Sequence, residues 1–215
     1  MMNDYIIALL ETVFMVSVST FFSVIFGFIL ALILTLTHKN GLKPNKTIYI
    51  ILDLVINTLR SFPFIILMIA IIPLTRFIMG TSIGTLAAIV PLTIGATPFA
   101  ARVIETALRE VDSGLIETAQ AFGCTTFQII FNVIVKEAMP SLVMAITLTI
   151  INLIGYSAMA GAIGAKGLGD LAIRYGYHGF KPTVIIITII ILIILVQSIQ
   201  LTGDLIYKKL IKKIG

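Results

Sequence analysis

Few residues in this chain are equipped for covalent chemistry. The single cysteine, Cys124, has no partner for an intrachain disulfide and no metal-ligand companion beside it. His38 and His178 fall in loops that the topology below puts on opposite sides, so no nucleophile–base pair assembles. Gly161-Ala162-Ile163-Gly164-Ala165-Lys166-Gly167 has glycines and a lysine in the manner of a phosphate loop. It lacks the Ser or Thr that should follow the lysine and hold Mg2+, and a flexible outer turn accounts for it. The sequence therefore offers no ATP site and no catalytic set. What remains is non-covalent: a charge, Arg60, within an apolar stretch; helix-breaking prolines, among them Pro63 and Pro91; and a polar, helix-prone run from Leu115 to Gly123.

The elements that position these residues follow from composition. Of 215 residues, 59% are hydrophobic and 12% charged, with a mean hydropathy of +1.12, which marks a polytopic membrane protein. Residues 12–38, 61–75, 77–101, 138–165 and 182–203 carry no Lys, Arg, Asp or Glu. Crossing the hydrocarbon layer takes about 20 apolar residues. Four runs suffice alone, and the 61–75 run does once extended back through Val55–Leu59. The expectation is an all-α fold with transmembrane helices at about 12–37, 50–75, 83–104, 136–160 and 182–206, in one domain spanning 1–215. The first has no basic leader and no small-residue cleavage pattern, so it is expected to be retained rather than removed as a signal peptide.

With the N-terminus outside and the C-terminus inside, ten Lys and Arg fall in inner loops (Lys39, Lys43, Lys46, Arg102, Arg109, Lys136, Lys208, Lys209, Lys212, Lys213) against four outside (Arg76, Lys166, Arg174, Lys181). The positive-inside rule selects that orientation. Topology thus accounts for the net charge of +5, and no nucleic-acid partner is read from it.

Pro63 removes a backbone donor and predicts a kink in the second helix. Such a break is tolerated in lipid only where protein or water satisfies the freed carbonyl, so that helix faces a bundle or cavity. The fifth helix, almost pure Ile, Leu and Val over 184–196, is expected at the lipid periphery. Helices 3 and 4 carry small and hydroxyl residues, which permit close approach. A pathway among helices 2 to 4 would be lined by Arg60, Pro63, Pro91, Ser157 and Met159. For Arg60, an ion pair with Asp53 on the same helical face is the alternative to a pathway role. For Met159, plain packing is the alternative to a pliable gate. Tyr156, Tyr175, Tyr177 and Phe180 fit either an interfacial aromatic belt or a landing surface.

The inner segment 105–135 has its own grammar. Asp112 or Ser113 can cap a helix starting near Leu115, Glu117 complements its dipole, and Gly123 stops it. Thr125 and Gln128 fit a capping box that opens a second helix. Two short helices with Leu115, Ile116, Ala119 and Phe122 as an apolar face form a knob that could enter a partner's cleft or lie on lipid headgroups.

Glu117-Thr118-Ala119, three residues, then Gly123 resembles the E-A-A-x-x-x-G loop of ABC importer permeases, which contacts the ATPase subunit. The wider likeness is to the methionine ABC importer permeases of the binding-protein-dependent transport inner-membrane component family. It rests on Asn57-Thr58-Leu59-Arg60-Ser61-Phe62-Pro63-Phe64-Ile65-Ile66-Leu67, Gly80-Thr81-Ser82-Ile83-Gly84, Pro91-Leu92-Thr93-Ile94-Gly95, Gly155-Tyr156-Ser157-Ala158-Met159-Ala160-Gly161-Ala162-Ile163-Gly164, Gly167-Leu168-Gly169 and Tyr175-Gly176-Tyr177, and covers residues 10–207 in order. Thr118 stands where the family loop has Ala, and Lys136 where the loop commonly ends in Pro. The resemblance implies a five-helix permease in a bacterial cytoplasmic membrane. It implies as partners a second copy of the chain, two ATPase subunits and an extracytoplasmic substrate-binding lipoprotein. ATP and Mg2+ would be used by the ATPase and no cofactor by this chain, which is not itself an enzyme. Leu115, Glu117, Ala119, Phe122 and Gly123 become the coupling residues: Glu117 salt-bridges or caps across the docking site, Ala119 allows close approach and Gly123 makes the turn. The implied substrate is methionine, L or D, or close derivatives. The alternatives are a permease for another small neutral amino acid or short peptide, or an ion-coupled carrier. The carrier would show an inverted repeat and an embedded acid; no repeat is found, and Asp53, the candidate acid, sits near the inner end of its span.

Overall fold

The computed structural model describes residues 2–214, and these are helical with no strand among them. α1 (Met2–Thr37) begins ten residues before its charge-free run. An absence of charge locates hydrocarbon, not helix ends, and Asp4 sits comfortably in the first turn. α5 (Thr85–Arg109), α9 (Met139–Gly161) and α11 (Pro182–Ile214) are the other long apolar helices.

The second span departs from expectation. The stretch predicted as one kinked helix over 50–75 forms three pieces: α2 (Lys46–Ser61), α3 (Phe64–Ala70) and α4 (Ile72–Met79), with α2 and α3 meeting at 102°. Pro63 pushes Phe62 into extended backbone (φ −74°, ψ 130°), so the helix stops rather than bends. Pro73 then fits the first turn of α4, where a missing N–H costs nothing, and Gly80 in the left-handed region (φ 72°) closes it. Among the described residues, four helices are long and apolar enough to cross a membrane, and a fifth crossing exists if α2 and α3 together count as one.

α1 and α5 form the central pair. At Gly27 an added Cβ would lie 2.8 Å from Ala100 Cβ and 2.9 Å from the Ala101 nitrogen, so only glycine permits this approach. Ser23 donates to the Thr93 carbonyl across the same interface (3.2 Å). Pro91 and Pro98 lie buried inside α5, which continues through both. α9 packs on α1 and α5, while α11 runs along the outside with Ile186, Ile189, Ile190, Ile193 and Ile194 exposed. Two large clusters make up most of the core, with smaller ones around Leu168 and Ile56. One large cluster gathers Met15, Phe64, Met68, Leu92 and Leu153; the other, towards the opposite end, gathers Ala31, Ile104, Leu108, Ala119, Ile129 and Leu142.

The glycine-rich segment after α9, which leads into the short α10 (Leu168–Leu171), is spoken for by its own chain. The Gly167 amide donates to Glu11 Oε2 (3.1 Å), the Leu168 amide to Thr12 Oγ1 (2.9 Å), and Lys166 lies 3.7 Å from Glu11. A loop whose amides face a fixed carboxylate does not cradle phosphate.

Candidate functional site

The segment after α5 folds as the local signals dictate. Asp112 Oδ1 accepts the Gly114 amide (2.6 Å) and starts α6 (Ser113–Ala121). Gly123, at φ 76°, ends it by donating to the Gln120 carbonyl (2.9 Å), with Cys124 donating to Ala119 (3.1 Å). The Thr125–Gln128 capping box is complete: Thr125 Oγ1 accepts the Gln128 amide (3.4 Å) and Gln128 Oε1 accepts the Thr125 amide (2.8 Å). It opens α7 (Thr126–Gln128), which passes into a π-helical turn (Ile129–Ile134) and α8 (Val135–Glu137). Lys136 makes no break. Ala138 leads directly into α9, where Pro140 takes the proline-tolerant first turn.

The expected apolar face divides in two. Ile116 and Ala119 turn inward and pack with Ile129, Ile134 and Leu108. Ala119 is therefore a joint within the knob rather than part of its outer surface, because the π-helical turn folds back over it. Leu115 and Phe122 point outward; Phe122 is 83% exposed, and Phe127, which the apolar-face pattern had not included, is 68% exposed. Phe127 leans on Phe131 at 4.5 Å. Exposed aromatics clustered on a capped, well-formed surface mark an interaction site. Glu117, exposed, lines an open cleft of about 340 Å³ together with His38, Asn40, Arg109 and Gln120.

Beneath the knob lies a charge network that joins the end of α5 to its neighbours. Arg102 donates to Asp53 Oδ1 (2.6 Å) and Asn57 Oδ1 (3.1 Å) on α2, and to Glu105 Oε2 (2.7 Å) on its own helix. The Glu105 side chain is 2% exposed and also accepts from Arg109 (3.4 Å). Arg109 lies 3.2 Å from His38 Nε2. Burial, then the charges of Arg109 and Lys39, hold the His38 pKa below its ordinary value, so this ring resists protonation. Glu110 accepts from Ser141 (2.9 Å) on α9. The end of α5 is thus tied to α2, to the loop after α1 and to α9. The signal was present as Arg102-x-x-Glu105-x-x-x-Arg109, charges placed on one helical face.

The expected Asp53–Arg60 pair does not form. Asp53 is taken by Arg102, and Arg60 is exposed, with no ion pair among the described residues. The supposed pathway residues do not converge within one chain. Pro63 is exposed at the break, and Pro91 is buried against a small space shared with Met68 and Ala160. Ser157 is buried and donates to the Ile154 carbonyl (2.8 Å), whereas Met159, about 200° further round the helix, is exposed. The position of α3 comes from elsewhere: Phe64 stacks on Tyr156 (centroids 4.1 Å apart, planes 2° from parallel) and presses on Gly95.

Comparison with known proteins agrees with this architecture. Residues 23–214 match the family described as binding-protein-dependent transport system inner membrane component. The chain is 49% identical over 199 residues to the probable D-methionine transport system permease protein MetI of Vibrio cholerae, covering 93% of this chain and 88% of that one. It is 46% identical over 174 residues to the methionine import system permease protein MetP of Bacillus subtilis, covering 81% and 78%. A solved inward-facing structure of the MetNI methionine ABC transporter superposes with a TM-score of 0.96 at 46% identity, covering 98% of this chain and 97% of the other. A further amino acid ABC transporter structure, at 22% identity and a TM-score of 0.77, shares the fold.

Proposed function

The chain belongs to the family of binding-protein-dependent transport system inner membrane components, and from that premise we infer that it is the permease subunit of an ATP-driven methionine importer. It resides in the bacterial inner membrane and works as a homodimer with two ATPase subunits and an extracytoplasmic substrate-binding protein. Five crossings with the N-terminus outside and the C-terminus inside fit both the lysine and arginine distribution and the pairing of α2 with α3 as one broken span. The chain hydrolyses nothing. ATP and Mg2+ act in the ATPase, and this subunit converts their work into alternating access by rigid-body motion.

The observation that carries the coupling role is the knob itself: a capped, rigid projection that presents Leu115, Phe122 and Phe127 outward. Leu115 and Phe122 enter the ATPase cleft, and Glu117 meets a cation or backbone donor there. Ala119 and Gly123 hold the projection in shape. Selection of methionine over other small neutral amino acids rests with the binding protein, and likeness to permeases named for methionine supports that substrate.

Uptake of labelled methionine by cells with and without the chain tests the reading directly: loss of uptake on deletion is expected, and unchanged uptake refutes the substrate. Glu117→Lys and Gly123→Pro are expected to insert normally and yet transport nothing. Full uptake in either, with the ATPase bound, ends the docking role.

A further inference from the structure

We propose that Asp53 and Arg102 are positioning residues for transport, a salt-bridged strut that carries displacement of the knob from α5 into the α2–α3 elbow. The proposal rests on the permease reading above and extends it to residues outside the knob.

Three observations define the strut. First, α5 and the knob move together. The polypeptide passes from Arg109 to the Asp112 cap with only two residues between, and Ala119 and Ile134 are packed in one cluster with Ile104 and Leu108 of α5. Second, within its own chain α2 has little else to hold it. Ile56 is its sole buried residue, meeting Leu34 and Ala101 with Tyr49 and Leu52 partly buried beside them, while Ile48, Ile50, Ile51, Leu54 and Val55 stay exposed. A patch that small can slide. Arg102 spans to two residues one turn apart, Asp53 and Asn57, and so fixes both the height and the rotation of α2. Asn57 also donates to Asp53 Oδ2 (3.1 Å), which orients the carboxylate.

Third, the far end of α2 is a corner, not a continuation. Phe62 and Pro63 interrupt the helix at 102°, and α3 beyond it sets Phe64 between Tyr156 of α9 and Gly95 of α5. Displacement of α2 therefore shifts an aromatic stack deep in the bundle rather than being absorbed by fraying. Arg102 is itself held from behind by the buried Glu105, which shares its charge with Arg109. Glu105 and Asn57 remain as partners for the guanidinium when the Asp53 charge is removed. A charged fork suits a strut because it resists sliding, and separating this part-buried pair leaves the Asp53 carboxylate without its cation.

The test uses the permease reconstituted in liposomes with its ATPase and binding protein, measuring methionine uptake and ATP hydrolysis on the same preparation. Wild-type uptake is the control: its absence overturns the permease reading and leaves nothing for a strut to serve. With that control intact, Asp53→Asn is expected to keep ATP hydrolysis and lower the methionine moved per ATP at least about fivefold, the low end of coupling between sites. Asp53→Glu should recover most of the loss. An unchanged ratio in Asp53→Asn overturns the proposal. A second arm combines Asp53→Cys and Arg102→Cys in a Cys124→Ser background and joins the two thiols with a short bifunctional thiol reagent. A strut predicts poor coupling before joining and restored coupling after it. Joined protein that assembles with its ATPase but stays uncoupled overturns the proposal as well.

Discussion

Phe122→Ala tests the outward face of the knob with little risk to the fold. The ring is 83% exposed, so its removal costs the isolated chain almost no buried surface, and the cap at Gly123 is untouched. In a complex the ring would pass from water into a protein cleft. Full burial of a phenylalanine is worth about 1.5–3 kcal/mol at roughly 25 cal/mol per Å² of apolar area. A loss of about 2 kcal/mol weakens affinity for the ATPase by roughly 30-fold, since each 1.4 kcal/mol is a factor of ten. Ile116→Ala is the contrast. Ile116 packs inward, so its truncation should lower thermal stability first and affinity only secondarily. Affinity is read by titrating immobilised detergent-solubilised permease with purified ATPase, alongside thermal unfolding of each variant. A Phe122→Ala protein of wild-type stability that binds within twofold of wild type refutes the argument that this ring is a docking anchor.

Gly123→Ala should destabilise the knob by about 1–2 kcal/mol through backbone strain at φ 76° alone, because no atom lies within 4 Å of an added Cβ; local hydrogen exchange over 113–128 reads the change. Gly27→Val should disrupt the α1–α5 pair by about 1–3 kcal/mol, since the new side chain meets the α5 backbone, which cannot yield; a lower unfolding temperature in detergent checks it. The depressed pKa of His38 means that the unfolded chain takes up this proton first. Its contribution to stability is complete above the ordinary value of about 6.5 and declines as the pH falls from there through the lowered folded pKa. Between pH 7.5 and 5.5 the wild type should therefore lose more thermal stability than His38→Gln, and equal losses would exclude this ring as the cause.

The sequence by itself determined what depends on local or averaged physics. Hydrophobic length marked the stretches apolar enough to cross a membrane, and the peripheral place of α11 followed from its almost purely aliphatic run. The knob was legible almost residue by residue because caps and stops act over three or four positions: Asp112, Gly123 and the Thr125–Gln128 box behave as their side chains dictate. Pro63 announced a disruption but not its size, since whether a proline bends a helix or ends it depends on what receives the next turn, here Tyr156 and Gly95. Asp53 shows the limit most clearly. Along the chain its cation was Arg60, seven residues away on one helix; in space it is Arg102, brought within 2.6 Å by the packing of α2 against α5. Ala119 likewise looked outward until the π-helical turn folded over it. Helical periodicity states which residues share a face. Only the approach of one helix to another decides what that face meets, because charge pairing and close packing act between atoms a few ångströms apart, however far apart they lie in sequence.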